Sequence, residues 1–361
     1  MRREFLDALA KARETHDLTR EEIVALLSAE GEEMRALGRA ADEVREQYLG
    51  PEVHLRGIIE FSNYCRRNCL YCGLRRDNRD LPRYRMEPEE ILAVAKKAVE
   101  LGLPTVVLQS GEDLHYGGPV IGEIVAGLKR EIGVQAVTLS LGERSREDYA
   151  LWRQAGADRY LLKHETADQE LFARLRPGTG YRRRLQCLAW LRELGYQVGS
   201  GNMVGLPGQS LVSLAEDLLL LKELEVEMAG IGPFIPHPQT PLAGEAGGTP
   251  ELTLKVLAVA RLLLPTAHLP ATTALGTVHP QGRSLGLRFG ANVIMPDITP
   301  APYRYYYQIY PGKAGGYREV EEAVLAVKEM ILSLGRRIAS GPGHAPGRGR
   351  TSTALWEFAR N

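Results

Sequence analysis

Cysteine is scarce in this chain, four in 361 residues, yet three of the four, Cys65, Cys69 and Cys72, fall within one short stretch. So few thiols exclude a disulfide scaffold, and three crowded into one loop suit a reducing compartment. A bias of charge is also missing. Lys and Arg number 45 and Asp and Glu 45, so composition makes no electrostatic case for nucleic acid or an anionic membrane surface as a partner. No run of about 18 uncharged apolar residues occurs, and the opening MRREFLDALAKARE lacks the apolar core of a signal peptide. The expectation is a soluble, cytoplasmic protein that meets small molecules or other proteins. Histidine is absent between His54 and His115, and no G-x-G-x-x-G follows the first predicted strand. The first absence argues against a zinc site around the cysteines, the second against an open dinucleotide-binding sheet.

The cysteines form C-x3-C-x2-C directly after the apolar run Leu55 to Phe61, so all three sulfurs belong to one loop at the carboxyl end of a strand. Zinc sites pair C-x2-C knuckles and add a fourth Cys or His at short range; neither condition is met. Thiolates are the usual ligands of iron–sulfur clusters, and a cubane normally takes four. Cys187 lies far away in the Leu-rich RLQCLAWLREL, where a small buried core residue is the simpler role. Three ligands leave one iron open, and an open metal position is where substrate chemistry takes place.

Residues 1–50 read as a helical extension, opened in part by the capping box Thr19–Glu22, and it is expected to pack across the bottom of the domain that follows. From residue 51 to 338, β-branched runs alternate with helical ones. Strands are predicted at 55–61, 105–110, 136–141, 159–165, 197–204, 228–234, 269–275 and 291–296, and Gly102, Gly156, Gly195 and Gly335 supply left-handed helix ends. Eight strand–helix units match a full (β/α)8 TIM barrel. Residues 339–361, rich in Gly, Pro and Arg through Thr353, read as a loosely ordered tail with one short anchoring segment.

A barrel builds its active site from the carboxyl ends of its strands. Polar clusters occur there: Ser110-Gly111-Glu112-Asp113, Ser140 with Gly142-Glu143, Lys163 to Thr166, Asn202 with Gly205-Leu206-Pro207-Gly208, and Thr272-Thr273, with Met295-Pro296 closing the eighth strand before the tyrosine-rich PYRYYYQIY. Each alone could be turn or capping chemistry. Their recurrence on strand after strand beside the cysteines points to one site.

C-x3-C-x2-C with the aromatic Tyr71 resembles the signature of the radical S-adenosylmethionine (SAM) superfamily. Together with VVLQSGED, DRYLLKHETA, NMVGLPGQ, GIGPFIPHPQTPLA, PATTALGT, GANVIMPDITPAPYR and YQIYPGK, it is similar to the HydE family of FeFe-hydrogenase maturases over about residues 16–340. Biotin synthase and methylornithine synthase share the barrel type. The resemblance implies one 4Fe-4S cluster on Cys65, Cys69 and Cys72, with SAM chelating the open iron and being split by one electron to a 5'-deoxyadenosyl radical. It implies SAM contacts from Tyr71 near the adenine, Ser110, Gly111 and Glu112 at the methionine amino end, Ser140, Glu165 at the ribose and Arg184 at the carboxylate. Lys163 stands where the family can have Arg. Thr138, Met228, Thr272, Thr273, Met295, Arg304, Tyr307 and Tyr310 would line the substrate cavity, although Thr138 and the two methionines equally fit plain barrel core.

Some members carry three further cysteines for an accessory cluster. Here the corresponding positions are Gly315, Ala323 and Ala326, so no second cluster is expected. The family implies a step in assembling the di-iron subcluster of the hydrogenase H-cluster, with an iron–carbonyl–cyanide–cysteine complex as substrate, HydG and HydF as partners and an electron donor. A methylornithine-synthase-like or other small-molecule radical enzyme is the alternative within the superfamily. A non-catalytic metal-binding scaffold for maturation is the alternative outside it.

Overall fold

The structure, a computed structural model, describes residues 1–314 and 318–346. Six parallel strands, Gly57–Ser62, Thr105–Ser110, Ala136–Ser140, Arg159–Leu161, Gln197–Ser200 and Met228–Ala229, lie side by side in chain order. The ring closes through shorter pieces. Ala229 N donates to His268 O (3.0 Å), and Ala271 N donates to Val293 O (2.9 Å). Val293–Ile294 then pairs in parallel with Glu52–Leu55, the lower half of the first strand, and Ile58 N reaches Pro296 O (2.8 Å). Eight staves thus enclose a central space, and the fold is the (β/α)8 architecture expected.

Five predicted strands are shorter than their apolar runs suggested: 228–234 divides into Met228–Ala229 and Gly232–Pro233, 291–296 keeps only Val293–Ile294, and three others break for plainer reasons. The stretch 269–275 holds only an isolated bridge at Pro270, with another at His268 just before it, because Pro270 has no N–H to donate and Thr272 caps the short helix Thr273–Val278. The run 159–165 stops at Leu161, leaving Lys163–Glu165 to turn away with Glu165 in a left-handed conformation (φ 72°). The run 197–204 breaks at Gly201-Asn202, and Met203–Val204 pairs instead with Gly232–Pro233 in a small second sheet over the barrel mouth.

Helices Arg3–Thr15, Arg20–Leu27 and Gly31–Leu49 carry their apolar residues on one face. The capping box holds: Thr19 accepts from Glu22 N while Glu22 accepts from Thr19 N. These helices pack against the outer helices Leu211–Glu223 and Pro250–Leu263, on the flank of the barrel. The base is crossed by part of the predicted tail. Arg159 and Arg56 donate to Gly343 O (2.8 and 3.2 Å) from inside the barrel, and Gln197 pairs with Ala345. Residues 347–361, the rest of that tail, lie outside the described residues. Cys187 is fully buried within the common core. Among the described residues no helix is long and apolar enough to cross a membrane.

Candidate active site

The cysteine loop leaves the first strand at Ser62 and is held from both ends. Asn63 donates to Pro82 O and Tyr306 O (2.8 Å each) and accepts from Tyr84 N, so one side chain ties the start of the loop to its finish. Arg83 donates to the carbonyls of Asn63, Leu74, Arg75 and Asn78, which gives a half-buried guanidinium four dipoles in place of a carboxylate. Ser62 Oγ donates to Asp113, which is clamped by Arg85 (2.7 Å). The loop is thereby frozen around the sulfurs, as a preorganised site requires.

Gly111 ends the second strand against this loop. A Cβ there would stand 2.2 Å from Tyr64 O and 2.7 Å from Cys65 Cβ, so only glycine fits. The contact lets Glu112 N donate to Cys65 Sγ (3.4 Å). Burial, with like charge on neighbouring cysteines, pushes the thiols of Cys65 and Cys72 above the usual range, so neither ionises readily until a cation is present.

All three sulfurs line one cavity of about 370 Å3 inside the barrel mouth, an ordinary size for a small-molecule site. Tyr71, Ser110, Gly111, Glu112, Thr138, Ser140, Lys163, Glu165, Arg184, Met228, Thr272, Thr273, Met295, Tyr307 and Tyr310 line the same cavity. Arg304 does not; it is buried beside it, with Nε and Nη1 lacking partners. Among the described residues no three His, Cys, Asp or Glu side chains close around a point as one bound ion would need. A cluster spreads its cysteine sulfurs over several iron atoms and asks for less convergence.

Facing the cysteines is a charged network that was only half foreseen. Arg67 bridges the buried carboxylates of Glu112 and Glu143, Arg66 also reaches Glu112, and Arg184 Nε pairs with Glu143 (2.9 Å). Burial would raise the Glu112 carboxyl, but Arg67 and Arg184 outweigh it and hold it below its ordinary value. Three guanidiniums meet two carboxylates, an excess of one positive charge at the cavity wall. Arg184 Nη2 is buried with no partner, an orphan donor suited to an incoming carboxylate. A second group surrounds Glu165, whose carboxylate lies 3.6 Å from Arg176; Arg176 in turn donates to Tyr71 OH (2.6 Å). Burial disfavours the Arg176 cation, yet Tyr71, Cys69 and Glu165 more than restore it. Lys163 is lowered by burial, and its Nζ donates to Asn202 O at 3.5 Å.

Sequence reasoning missed a buried triad on the cavity wall. Glu60 points inward from the first strand, and Lys313 joins it to Asp297 (3.2 Å), beneath Tyr307 and Tyr310. Burial and Asp297 push the Glu60 carboxyl well up, while Glu60 and Asp297 hold Lys313 protonated against its burial. An acid inside the apolar run GIIEFS was the available signal. Arg67 and Arg176 were also missed, each next to a cysteine or glycine motif that drew attention first, and Glu143 was marked only as part of the polar cluster ending the third strand.

The Radical SAM superfamily model matches residues 59–221. The chain is 55 % identical to the [FeFe] hydrogenase maturase subunit HydE of Thermotoga maritima over 336 residues, covering 93 % of this chain and 95 % of that one. It is 30 % identical to 3-methylornithine synthase of Methanosarcina acetivorans, covering 89 % of each. A crystal structure of methylornithine synthase (PylB) superposes with a TM-score of 0.82 at 28 % identity, over 92 % of this chain and 97 % of that one. Geometry and likeness agree, and the chain belongs to the radical SAM superfamily of enzymes and, within it, to the HydE group of FeFe-hydrogenase maturases.

Proposed function

We propose that the chain binds one 4Fe-4S cluster through Cys65, Cys69 and Cys72 and uses it to cleave SAM in the assembly of the H-cluster di-iron subcluster, in the cytoplasm. When bound, the cluster supplies the electron that divides the SAM sulfonium into methionine and a 5'-deoxyadenosyl radical. The chain's own residues bind and orient. Ser110 and Gly111 with Glu112 offer oxygens to the methionine ammonium, and Arg184, steadied by Glu143, offers its unpartnered Nη2 to the carboxylate. Glu165, fixed by Arg176, accepts from the ribose hydroxyls, and Tyr71 lies along the adenine. Lys163, Thr138, Ser140, Met228, Thr272, Thr273, Met295, Tyr307 and Tyr310 bound the remaining space, in which the barrel wall excludes water.

The observation that carries this reading is the single cavity shared by the three sulfurs and the surplus guanidinium opposite them. An iron–carbonyl–cyanide–cysteine complex as substrate, with HydG and HydF as partners, rests on the likeness to the Thermotoga maritima maturase subunit. Ala323 and Ala326 stand on helix Val320–Ser333 where some relatives have cysteine, which supports a single cluster; Gly315, the third such position, lies outside the described residues. Anaerobic reconstitution tests the proposal. Iron and sulfide near four each per chain, and 5'-deoxyadenosine formed from SAM with reductant, are expected. Zinc in place of iron, or no cleavage by iron-loaded protein, overturns it in favour of a maturation scaffold.

A further inference from the structure

Glu165 reaches the cavity from a backbone conformation that few residues other than glycine adopt. Its φ of 72° is left-handed, and such a residue stays in place only where its surroundings fix it from several sides. Two backbone bonds do part of this. Glu165 N donates to Gly201 O (3.0 Å), and Met203 N donates to Glu165 O (3.1 Å). They lay the end of the fourth stave beside Asn202, at the end of the fifth, with which Glu165 forms an isolated parallel bridge. One carboxylate behind the barrel wall holds both of these chain ends.

Asp217 belongs to the outer helix Leu211–Glu223 and is fully buried, outside the lining of the cavity. Its Oδ1 accepts from Ala167 N, two residues beyond Glu165. Its Oδ2 accepts from Asn202 Nδ2 (3.0 Å) and from Gln209 Nε2 (3.3 Å). His164 Nε2 stands 3.6 Å from Oδ1, and the other nitrogen of that ring meets Ser200 Oγ (3.0 Å). Gln209 carries the hold onward: its Oε1 accepts from Gly205 N (2.8 Å) and Leu206 N (3.2 Å), and its Nε2 also donates to Met203 O (3.0 Å). Leu206 belongs to a small apolar cluster against which Met203 and Tyr71 both pack. Burial pushes the Asp217 carboxyl up, and its ionic neighbour is a histidine rather than a guanidinium or ammonium, so keeping an acid here carries a cost. Geometry supplies the reason. A carboxylate turns two acceptors on donors from both sides, whereas an amide of the same shape would set an N–H against one of them.

We propose that Asp217 is a positioning residue for the nucleoside half of the SAM site. Through Ala167 and Asn202 it sets Glu165 for the ribose, and through Gln209 it sets the apolar backing of Tyr71 for the adenine. The methionine half depends on a different network, Glu112, Glu143 and Arg184, which Asp217 does not touch. The proposal rests on the reading that this cavity binds SAM with Glu165 at the ribose and Tyr71 at the adenine.

The test compares reconstituted wild type, Asp217→Asn, Ser200→Ala and Glu227→Gln by equilibrium binding of SAM, methionine and 5'-deoxyadenosine, the nucleoside also on cluster-free protein. Glu227 is the control, a carboxylate that pairs with Arg192 and accepts from Val198 N at the opposite, amino-terminal end of the staves. Asp217→Asn should bind SAM and 5'-deoxyadenosine roughly tenfold more weakly while binding methionine as wild type does. Ser200→Ala, which only loosens His164, should show the same selectivity at smaller size, and it decides the matter if Asp217→Asn yields no folded protein. Glu227→Gln should bind all three ligands as wild type does, even with a lower melt. The SAM losses of Asp217→Asn and Glu165→Gln should fall short of adding in the double variant, because the first acts through the second. Additive losses, equal losses of SAM and methionine affinity, or unchanged binding of all three overturn the proposal. A wild type that binds no 5'-deoxyadenosine overturns it whether or not a cluster is held. A wild type that binds the nucleoside without holding a cluster defeats the cluster reading instead, and the proposal is then judged on the nucleoside alone.

Discussion

Arg184 is aimed by a carboxylate that the sequence marks at the end of the third strand without naming its partner, and replacing Glu143 with Gln isolates that dependence. Both side chains are 3 % exposed and their charged atoms lie 2.9 Å apart. Breaking a buried ion pair from one side costs about 3–5 kcal/mol. Here the cost is moderated, because Arg67 keeps Glu112 and Arg184 Nη1 keeps the Lys163 carbonyl at 3.1 Å, while the Gln amide oxygen can still accept. We expect a loss of about 2–3 kcal/mol. With an unfolding entropy of ~2.1 cal/mol/K per residue, a chain of this length should then melt about 3 °C lower. SAM binding has two opposing contributions. The wall gains another unit of positive charge, which attracts a carboxylate, but the fork that must receive it loses its anchor. Orientation should win because bidentate recognition depends on a fixed plane, and affinity should fall roughly tenfold. Arg184→Lys, which keeps the charge and loses the fork, should fall at least as far. Equilibrium SAM binding to reconstituted protein and a thermal melt of the same samples provide the readouts. Glu143→Gln binding SAM as wild type does, with an unchanged melt, would refute the reasoning that Glu143 positions Arg184.

Gly111→Ala forces a Cβ against Tyr64 O and Cys65 Cβ, so the reconstituted variant should hold markedly less iron per chain than wild type, while its far-ultraviolet dichroism stays that of a folded barrel. Cys187→Ala should leave iron content unchanged, since Cys187 is sealed in the core; loss of the cluster there would show that the fourth cysteine is a ligand. The Glu112 carboxyl is lower in the folded chain than its ordinary value of 4.5, so its stabilisation is complete above that value and lost as pH falls through the folded one. Acid melts of wild type should therefore drop more steeply below pH 4.5 than those of Glu112→Gln. Lys313→Met removes the cation that joins Glu60 and Asp297. The Glu60 carboxyl, raised in the folded state, binds more protons there than when unfolded, so the variant's deficit in melting temperature should shrink as pH is lowered from 8 towards about 5.

The architecture was readable because parallel barrel strands, buried on both faces, write themselves as continuous apolar runs separated by helical periods. Gly57–Ser62, Thr105–Ser110 and Ala136–Ser140 fall where TVVLQS and its counterparts suggested. The errors lie at the carboxyl ends of staves four to eight. Propensity favoured extended chain there, but Glu165 is instead turned into a left-handed conformation and held by backbone bonds to Gly201 O and from Met203 N. Thr272 spends its hydroxyl on capping a helix. These are the places where side chains must leave the ladder to reach the cavity, so local rules fail where the site is built. Motif spacing marks the cysteines, and Glu165 and Arg184 were singled out through the family resemblance. Arg176 and the Glu60–Lys313–Asp297 triad were not, and the pairing of Glu143 with Arg184 was not, because each acts through a partner more than ten positions away in the chain, and one sequence records a residue's type without recording the charge that the fold sets against it.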